Sequence, residues 1–304
     1  MRTIWNPWHG CRRVSEGCAH CYMYFLDRLR GADGSRVYTT EAFDYPVRRD
    51  RKGRYAVPPG VTLWVCMTSD FFLEEADVWR ADAWRMMRER CDVAFLLITK
   101  RVSRIAECLP SDWGSGYENV ICYATAENQK RAAERVPLLL ELPFAHRGVA
   151  CSPLIGAVDL SPWLGSGKIE RVMCGGENYD GARPCRWEWV TDLASQCRAA
   201  NVSFTFFETG NVFVKDGKTY RLSGKRLQAK WLTSPASASK DAPTRLTCAH
   251  PWDFLSATRS AARRFFACTA TPAAVVRSVP DAQTAASARP HEPIAEAKTF
   301  YDFC

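Results

Sequence analysis

From residue 61 onward the chain alternates short, unbroken apolar runs with stretches of helical period. Val61–Met67, Val93–Ile98, Val120–Ala124, Gly148–Cys151, Ile169–Cys174 and Val202–Phe207 read as strands. Each is too short for a core helix, and β-branched and aromatic residues recur in them. Between them, Ala76–Arg90, Val102–Leu109, Asn128–Leu140 and Trp187–Ala200 space their apolar residues three or four apart and read as helices. An earlier helix, Tyr22–Arg30, brings Tyr22, Phe25, Leu26 and Leu29 onto one face, and Gly31 stops it. Thr3-Ile4-Trp5 supplies a possible seventh strand. Residues 35–60 are polar, basic and proline-containing; they read as a long connection closed by Pro58-Pro59-Gly60.

Continuous apolar strands belong to parallel sheets covered on both faces, and each parallel return needs a helix-length crossover. The expected fold class is therefore α/β: a partial or distorted (β/α) barrel of six to seven parallel strands. No early G-x-G-x-x-G turn speaks for a dinucleotide fold. In such a barrel, chemistry gathers where strands end. The ends here are polar: Thr68-Ser69-Asp70, Thr99-Lys100-Arg101, Thr125-Ala126-Glu127-Asn128, Ser152-Pro153, Gly175-Gly176-Glu177-Asn178 and Glu208-Thr209-Gly210. Helix capping accounts for some of them, notably Ser69-Asp70 and Ser152. It accounts poorly for Lys100, Glu127 and Glu177.

Composition changes near Trp231. Residues 1–231 hold the strand–helix alternation, whereas residues 232–304 are rich in Ala, Ser, Thr and Pro and read as a weakly ordered extension with one helix near Phe254–Phe266. The formal net charge of +8 permits an anionic partner such as nucleic acid without requiring one. The densest basic run, Arg48–Arg54, lies between Tyr45 and Tyr55. Cations interleaved with aromatics suit a nucleic-acid strand, but a solvated loop is the commoner explanation of such a run. No apolar run reaches membrane-spanning length, and the cysteine loop begins almost at once, leaving no room for a cleaved leader. The expectation is a cytoplasmic protein with no membrane partner.

Fourteen cysteines in a chain of 304 residues without a leader suggest free thiols and metal ligands rather than a disulfide framework. Cys66, Cys91, Cys122, Cys151 and Cys174 lie in or beside apolar runs and read as small buried hydrophobes. Cys11, Cys18 and Cys21 differ. They are spaced C-x6-C-x2-C on a loop held by Pro7, Gly10 and Gly17, ahead of the first helix. A loop can turn three thiolates toward one centre, which a regular helix or strand with these spacings cannot. Three is one ligand short of a closed site: structural zinc takes four, as do ferredoxin-type clusters. Three soft donors therefore suit a [4Fe-4S] cluster with one open iron. The alternative is zinc, completed by His9, His20 or a distant cysteine.

Trp5-Asn6-Pro7-x-x-Gly10-Cys11-x6-Cys18-x2-Cys21-Tyr22 resembles the opening of the phage Gp37/Gp68-like family, a three-cysteine domain of unknown function. The resemblance continues through Met67-Thr68-Ser69-Asp70-Phe71-Phe72, Ile98-Thr99-Lys100-Arg101, Ala126-Glu127-Asn128-Gln129 and Cys174-Gly175-Gly176-Glu177-Asn178 with Ala182-Arg183-Pro184. It differs at Cys151-Ser152-Pro153-Leu154, where the family tends to carry an acid, and at Phe207-Glu208-Thr209-Gly210, which replaces a K-Q-W-G-like end.

That family looks like a divergent relative of radical S-adenosylmethionine enzymes, whose usual spacing is C-x3-C-x2-C. The resemblance implies a partial barrel in which Cys11, Cys18 and Cys21 ligate a [4Fe-4S] cluster. It implies S-adenosylmethionine as cofactor, an external electron donor, and a substrate that loses hydrogen to a 5′-deoxyadenosyl radical. Under it, Gly175, Gly176, Glu177, Ser69 and Asn128 are cofactor-binding candidates. Asp70, Lys100 and Glu127 are catalytic candidates, and Arg101 and Arg183 would hold a substrate carboxylate or phosphate. The rival expectation is a nucleic-acid-binding or phage-associated protein with a structural zinc or iron-sulfur site. A centre used only for electron transfer gives no reason for so many polar strand ends.

Overall fold

A computed structural model describes residues 3–224 and 226–228. The division at residue 231 and the helix expected near 254–266 lie outside the described residues. Seven strands form one parallel sheet in strict sequence order: β1 (Ile4–Trp5), β2 (Thr62–Val65), β3 (Ala94–Thr99), β4 (Val120–Thr125), β5 (His146–Cys151), β6 (Arg171–Gly175) and β7 (Ser203–Glu208). The sheet curls into an open half-barrel with β1 and β7 at its edges. Because successive strands are neighbours and parallel, every strand delivers its C-terminal end to the same rim.

The helices are α1 (Tyr22–Leu29), α2 (Asp77–Glu89), α3 (Ile105–Cys108), α4 (Gln129–Glu141), α5 (Ser161–Leu164) and α6 (Trp187–Ala199). Strand residues alternate between two faces. Leu63, Val65, Phe95, Leu97, Val120 and Cys122 pack into a core with α2 residues such as Ala83, Trp84 and Met87. Val149, Cys151, Val172, Cys174 and Phe206 pack with α4 and α6 residues. Each fully buried Val, Leu, Met or Phe among them contributes about 1.5–3 kcal/mol relative to exposure. The other set, including Leu96, Tyr123, Ala150, Met173 and the partly buried Ile98, Ile121 and Phe207, forms a separate cluster. Gly148 is needed there: a Cβ on it would stand 2.2 Å from the Tyr123 ring.

The connection expected over 35–60 is more structured than its composition suggests. Tyr38–Thr39 pairs antiparallel with Trp8–His9, and Arg49 bridges Tyr55. β2 is shorter than expected because Cys66 takes φ +57, turning the chain at once. Beyond β7, Val212–Lys215 pairs with Cys185–Arg186 and with Lys218–Arg221 in a small sheet that the apolar pattern did not announce. Phe213 closes it against Trp187 and Phe206.

Candidate metal centre

The cysteine loop runs from β1 to α1 along the rim. Trp5 and Trp8 fix its start: both are fully buried, and their indole N–H groups donate to Ala42 and Phe43 carbonyls and to the Asp70 carbonyl. Gly10 takes φ +90, and a Cβ there would stand 2.1 Å from the Arg36 carbonyl oxygen. The Cys11 N–H donates to the Gly34 carbonyl at 3.0 Å, and the Tyr24 hydroxyl donates to the Cys11 carbonyl. Glu16–Cys18 forms a single 3₁₀ turn, and Cys21 caps α1. All three thiols are free.

Burial raises the Cys11 thiol to about 11, with Asp70 pushing it further and Arg101 pulling it back. Burial also raises Cys21, which Lys100 and two backbone N–H groups oppose. Cys21 lies within electrostatic reach of both Cys11 and Cys18. Among the described residues, no three or more His, Cys, Asp or Glu side chains are drawn around a point that a single ion would occupy. Cys11, Cys18 and Cys21 would hold a metal group there through three thiolate sulfurs. The donor set thus fits a soft, thiolate-bound group by its chemistry. A cation bound there would reverse the effect of burial and favour the thiolates.

Three arginines fasten this loop, and a fourth holds the Glu127 that Ser15 of the loop meets. Arg101, after β3, places Nη2 at 2.8 Å from the Arg12 carbonyl and Nη1 at 3.8 Å from Cys11 Sγ and 3.2 Å from Asp70 Oδ2. Arg131, on α4, grips the Glu16 carboxylate at 2.6 and 3.0 Å. Asn128 adds a bond of 2.7 Å to Glu16 while capping α4 through Arg131 N–H. These bonds hold the Glu16 carboxyl at about 2, the Arg131 contribution being largest. Arg135 pairs with Glu127 Oε2 at 2.7 Å, and Ser15 donates to Glu127 Oε1 at 2.6 Å. Arg183 is held by both oxygens of Glu177 and donates to the Glu16 carbonyl at 2.9 Å.

The chain matches, over residues 1–264, the family described as protein of unknown function (DUF5131). It belongs to the DUF5131 family. No curated protein and no solved structure matches it.

In this DUF5131 protein, all but Lys100 of the expected acid–base candidates are buried and engaged. Asp70 Oδ1 accepts from Thr99 Oγ1 and Phe72 N–H, and Oδ2 accepts from Lys100 N–H and Arg101. Asp70 therefore caps a turn and joins two strand ends. Ser69 donates its hydroxyl to the Gly10 carbonyl at 2.5 Å. Glu127 is fully buried. Lys100 stands partly open, its Nζ 3.8 Å from Glu127 Oε1 and within electrostatic reach of Cys21. Gly175 and Gly176 bring the end of β6 against that of β7: Cβ atoms there would stand 2.6 Å from the Phe207 ring and 2.2 Å from the Thr209 carbonyl oxygen.

Sequence reasoning missed Ser15, Glu16, Tyr24, Arg131 and Arg135. One signal existed for two of them: Arg131 and Arg135 sit four apart on α4, on the stripe that holds Ala132 and Val136. A cleft of about 270 Å³ opens beside Cys21, lined by His20, Tyr24, Phe25, Arg13, Arg28 and Asp180 among others. The basic run Arg48–Arg54 lies elsewhere. Tyr55 reaches Glu89 at the end of α2, and Gly60 N–H reaches the Asp92 carbonyl just before β3, so this turn flanks the N-terminal edge of the sheet. There the Arg49 and Arg90 guanidiniums lie 3.8 and 4.0 Å from the Tyr55 ring centre.

Proposed function

We propose that this DUF5131 protein is a radical S-adenosylmethionine-type enzyme in which Cys11, Cys18 and Cys21 hold a [4Fe-4S] cluster and modify a still unidentified substrate. The observation that carries this reading is the place of the thiol loop. It follows the first strand of a parallel half-barrel, on the rim where every other strand delivers polar residues. The resemblance of its ordered motifs to Gp37/Gp68-like sequences supports it as well. When bound, the cluster and S-adenosylmethionine supply one-electron cleavage of a sulfonium bond and a carbon radical that takes hydrogen from the substrate.

The chain supplies position and exclusion of water. Asp70 and Glu177 each hold an arginine that fastens the loop, and Glu127 is bound by Arg135 and by the loop's Ser15, so their charges are spent on geometry. Lys100 faces the centre as a cation with part of its side chain open. It can neutralise a carboxylate or phosphate brought to the rim, or hand a proton to an atom that gains charge there. Gly176 lets backbone approach backbone at the end of β6 and shapes the floor of the mouth.

The test is anaerobic purification and reconstitution, followed by reduction with dithionite in the presence of S-adenosylmethionine. We expect about four irons and four sulfides per chain, release of 5′-deoxyadenosine, and loss of both in Cys11→Ala, Cys18→Ala and Cys21→Ala. Zinc at about one per chain without iron overturns the reading. A second reading is a nucleic-acid-binding protein with a structural metal, favoured by the arginine-flanked Tyr55 on the basic turn. It calls for binding to DNA or RNA that weakens steeply with salt.

A further inference from the structure

We infer that Arg101 is a positioning residue for the metal centre and raises its reduction potential through an N–H···S bond to Cys11; this rests on the iron-sulfur reading above. The side chain is committed on three sides. Nη1 lies 3.2 Å from Asp70 Oδ2 and 3.8 Å from Cys11 Sγ, and Nη2 donates to the Arg12 carbonyl at 2.8 Å. Its backbone N–H donates to Thr99 Oγ1 at 2.9 Å, which fixes the root of the side chain to the end of β3. Only 8% of the residue is exposed. A substrate anion would have to displace Asp70 to reach this guanidinium, so its charge acts on the sulfur it already touches.

The other three arginines bind no sulfur. Arg131 holds the Glu16 carboxylate, Arg135 holds Glu127, and Arg183 holds the Glu16 carbonyl. Arg101 is the one among them with a hydrogen bond to a ligand sulfur. The planar fork is what allows one side chain to serve a sulfur, a carbonyl and a carboxylate together; a lysine ammonium is a single point charge. Reduction adds one electron, from an external one-electron donor, and makes the cluster and its thiolates more negative. A cation that donates a hydrogen bond to one of those thiolates stabilises the reduced form more than the oxidised form, and a dry setting strengthens the effect. Asp70 offsets part of the charge and keeps the guanidinium aimed.

The experiment is a redox titration of the reconstituted holoprotein with dithionite and mediators, followed by electron paramagnetic resonance. Wild type, Arg101→Gln, Arg101→Lys and Arg131→Gln are compared at equal iron content. Arg101→Gln should disfavour the reduced state about tenfold, a fall of ~59 mV for a one-electron couple. Arg101→Lys, which keeps charge and loses the fork, should fall by less. Arg131→Gln loosens the same loop without touching a sulfur and should leave the midpoint in place. An unchanged midpoint in Arg101→Gln overturns the inference, as does an equal fall in Arg131→Gln. If Arg101→Gln holds no cluster, Arg101→Lys decides on the same criterion. A wild-type protein that takes up no iron-sulfur cluster removes the function proposed above, and this inference with it; a cluster with an indifferent Arg101 removes only the inference.

Discussion

A carboxylate with no exposed surface sits directly beneath the thiol loop. Glu127 is met by Arg135 at 2.7 Å, Ser15 at 2.6 Å and Lys100 at 3.8 Å. Gly17 presses on the same group: a Cβ there would stand 2.4 Å from Glu127 Oε1. Removing one member of a buried pair leaves the other charged and unpartnered, at a cost of about 3–5 kcal/mol. Glu127→Gln should therefore lower the urea midpoint sharply. Glu127→Met with Arg135→Met should recover much of the loss, because both charges leave together. Additive losses in that double-mutant cycle would show that Glu127 and Arg135 do not act as a pair. Gly17→Ala should cost on the order of 1–3 kcal/mol through overpacking, and it should lower iron occupancy after reconstitution because the loop must lift. Full occupancy in Gly17→Ala would mean that the contact with Glu127 does not set the loop. The three cysteines stood out in the sequence as identical side chains close together on one loop, and the fold sets that loop directly after β1. Arg183 was legible as a residue, but its partnership with the Glu16 carbonyl spans 167 positions and has no local signature.

At the scale of elements, the strands were legible because each buried strand is a run of apolar residues, and the order of those runs is the order of the sheet. The expected starts were less accurate where polar residues open a strand. β5 begins at His146, two residues before the apolar run, and its first two residues are only partly buried. The small sheet of Cys185–Arg186, Val212–Lys215 and Lys218–Arg221 escaped because its outer strand is mostly exposed and lacks an apolar run. His146 gives the β5–β6 junction a pH dependence. Its imidazole lies 2.8 Å from Glu170 Oε1, just ahead of β6, and 3.8 Å from Glu118 Oε2, while Arg147 opposes them. The hydrogen bond to Glu170 is the largest cause of a pKa raised above 6.5. A raised folded-state pKa means that the protonated form stabilises the fold. That contribution is complete below the unfolded value and is lost as pH rises through the folded one. Glu170 is more than half exposed, so the effect should stay below about 1 kcal/mol. Urea midpoints of wild type should decline, relative to His146→Gln, as pH rises above the ordinary histidine value of 6.5. Parallel profiles would remove His146 as the cause.

Across the whole molecule, the parallel order separates two chemistries that the sequence leaves side by side. Cys11–Cys21 and Arg48–Arg54 are neighbours along the chain, yet the first follows β1 at the C-terminal rim and the second precedes β2 at the opposite edge. The thiol loop touches Arg101, Glu127 and Arg183, and Asp70 reaches it through Arg101. The basic turn is held by its own Asp50, which accepts from Lys52 and Arg54, and by the stack of Arg49 on Tyr55. Nothing in these contacts couples the two. Arg51→Glu with Lys52→Glu should therefore leave iron content and 5′-deoxyadenosine formation unchanged, since both side chains are exposed and on the far edge. If the turn also grips a nucleic acid, the same variant should weaken binding to a fluorescent oligonucleotide. The log–log salt slope should then become shallower by about 1.4–1.8, from two phosphate contacts at ~0.7–0.9 each. A loss of cluster or of S-adenosylmethionine cleavage in this variant would contradict the separation of the two edges. It would place the basic turn in service of the metal centre, which the sheet's parallel order argues against.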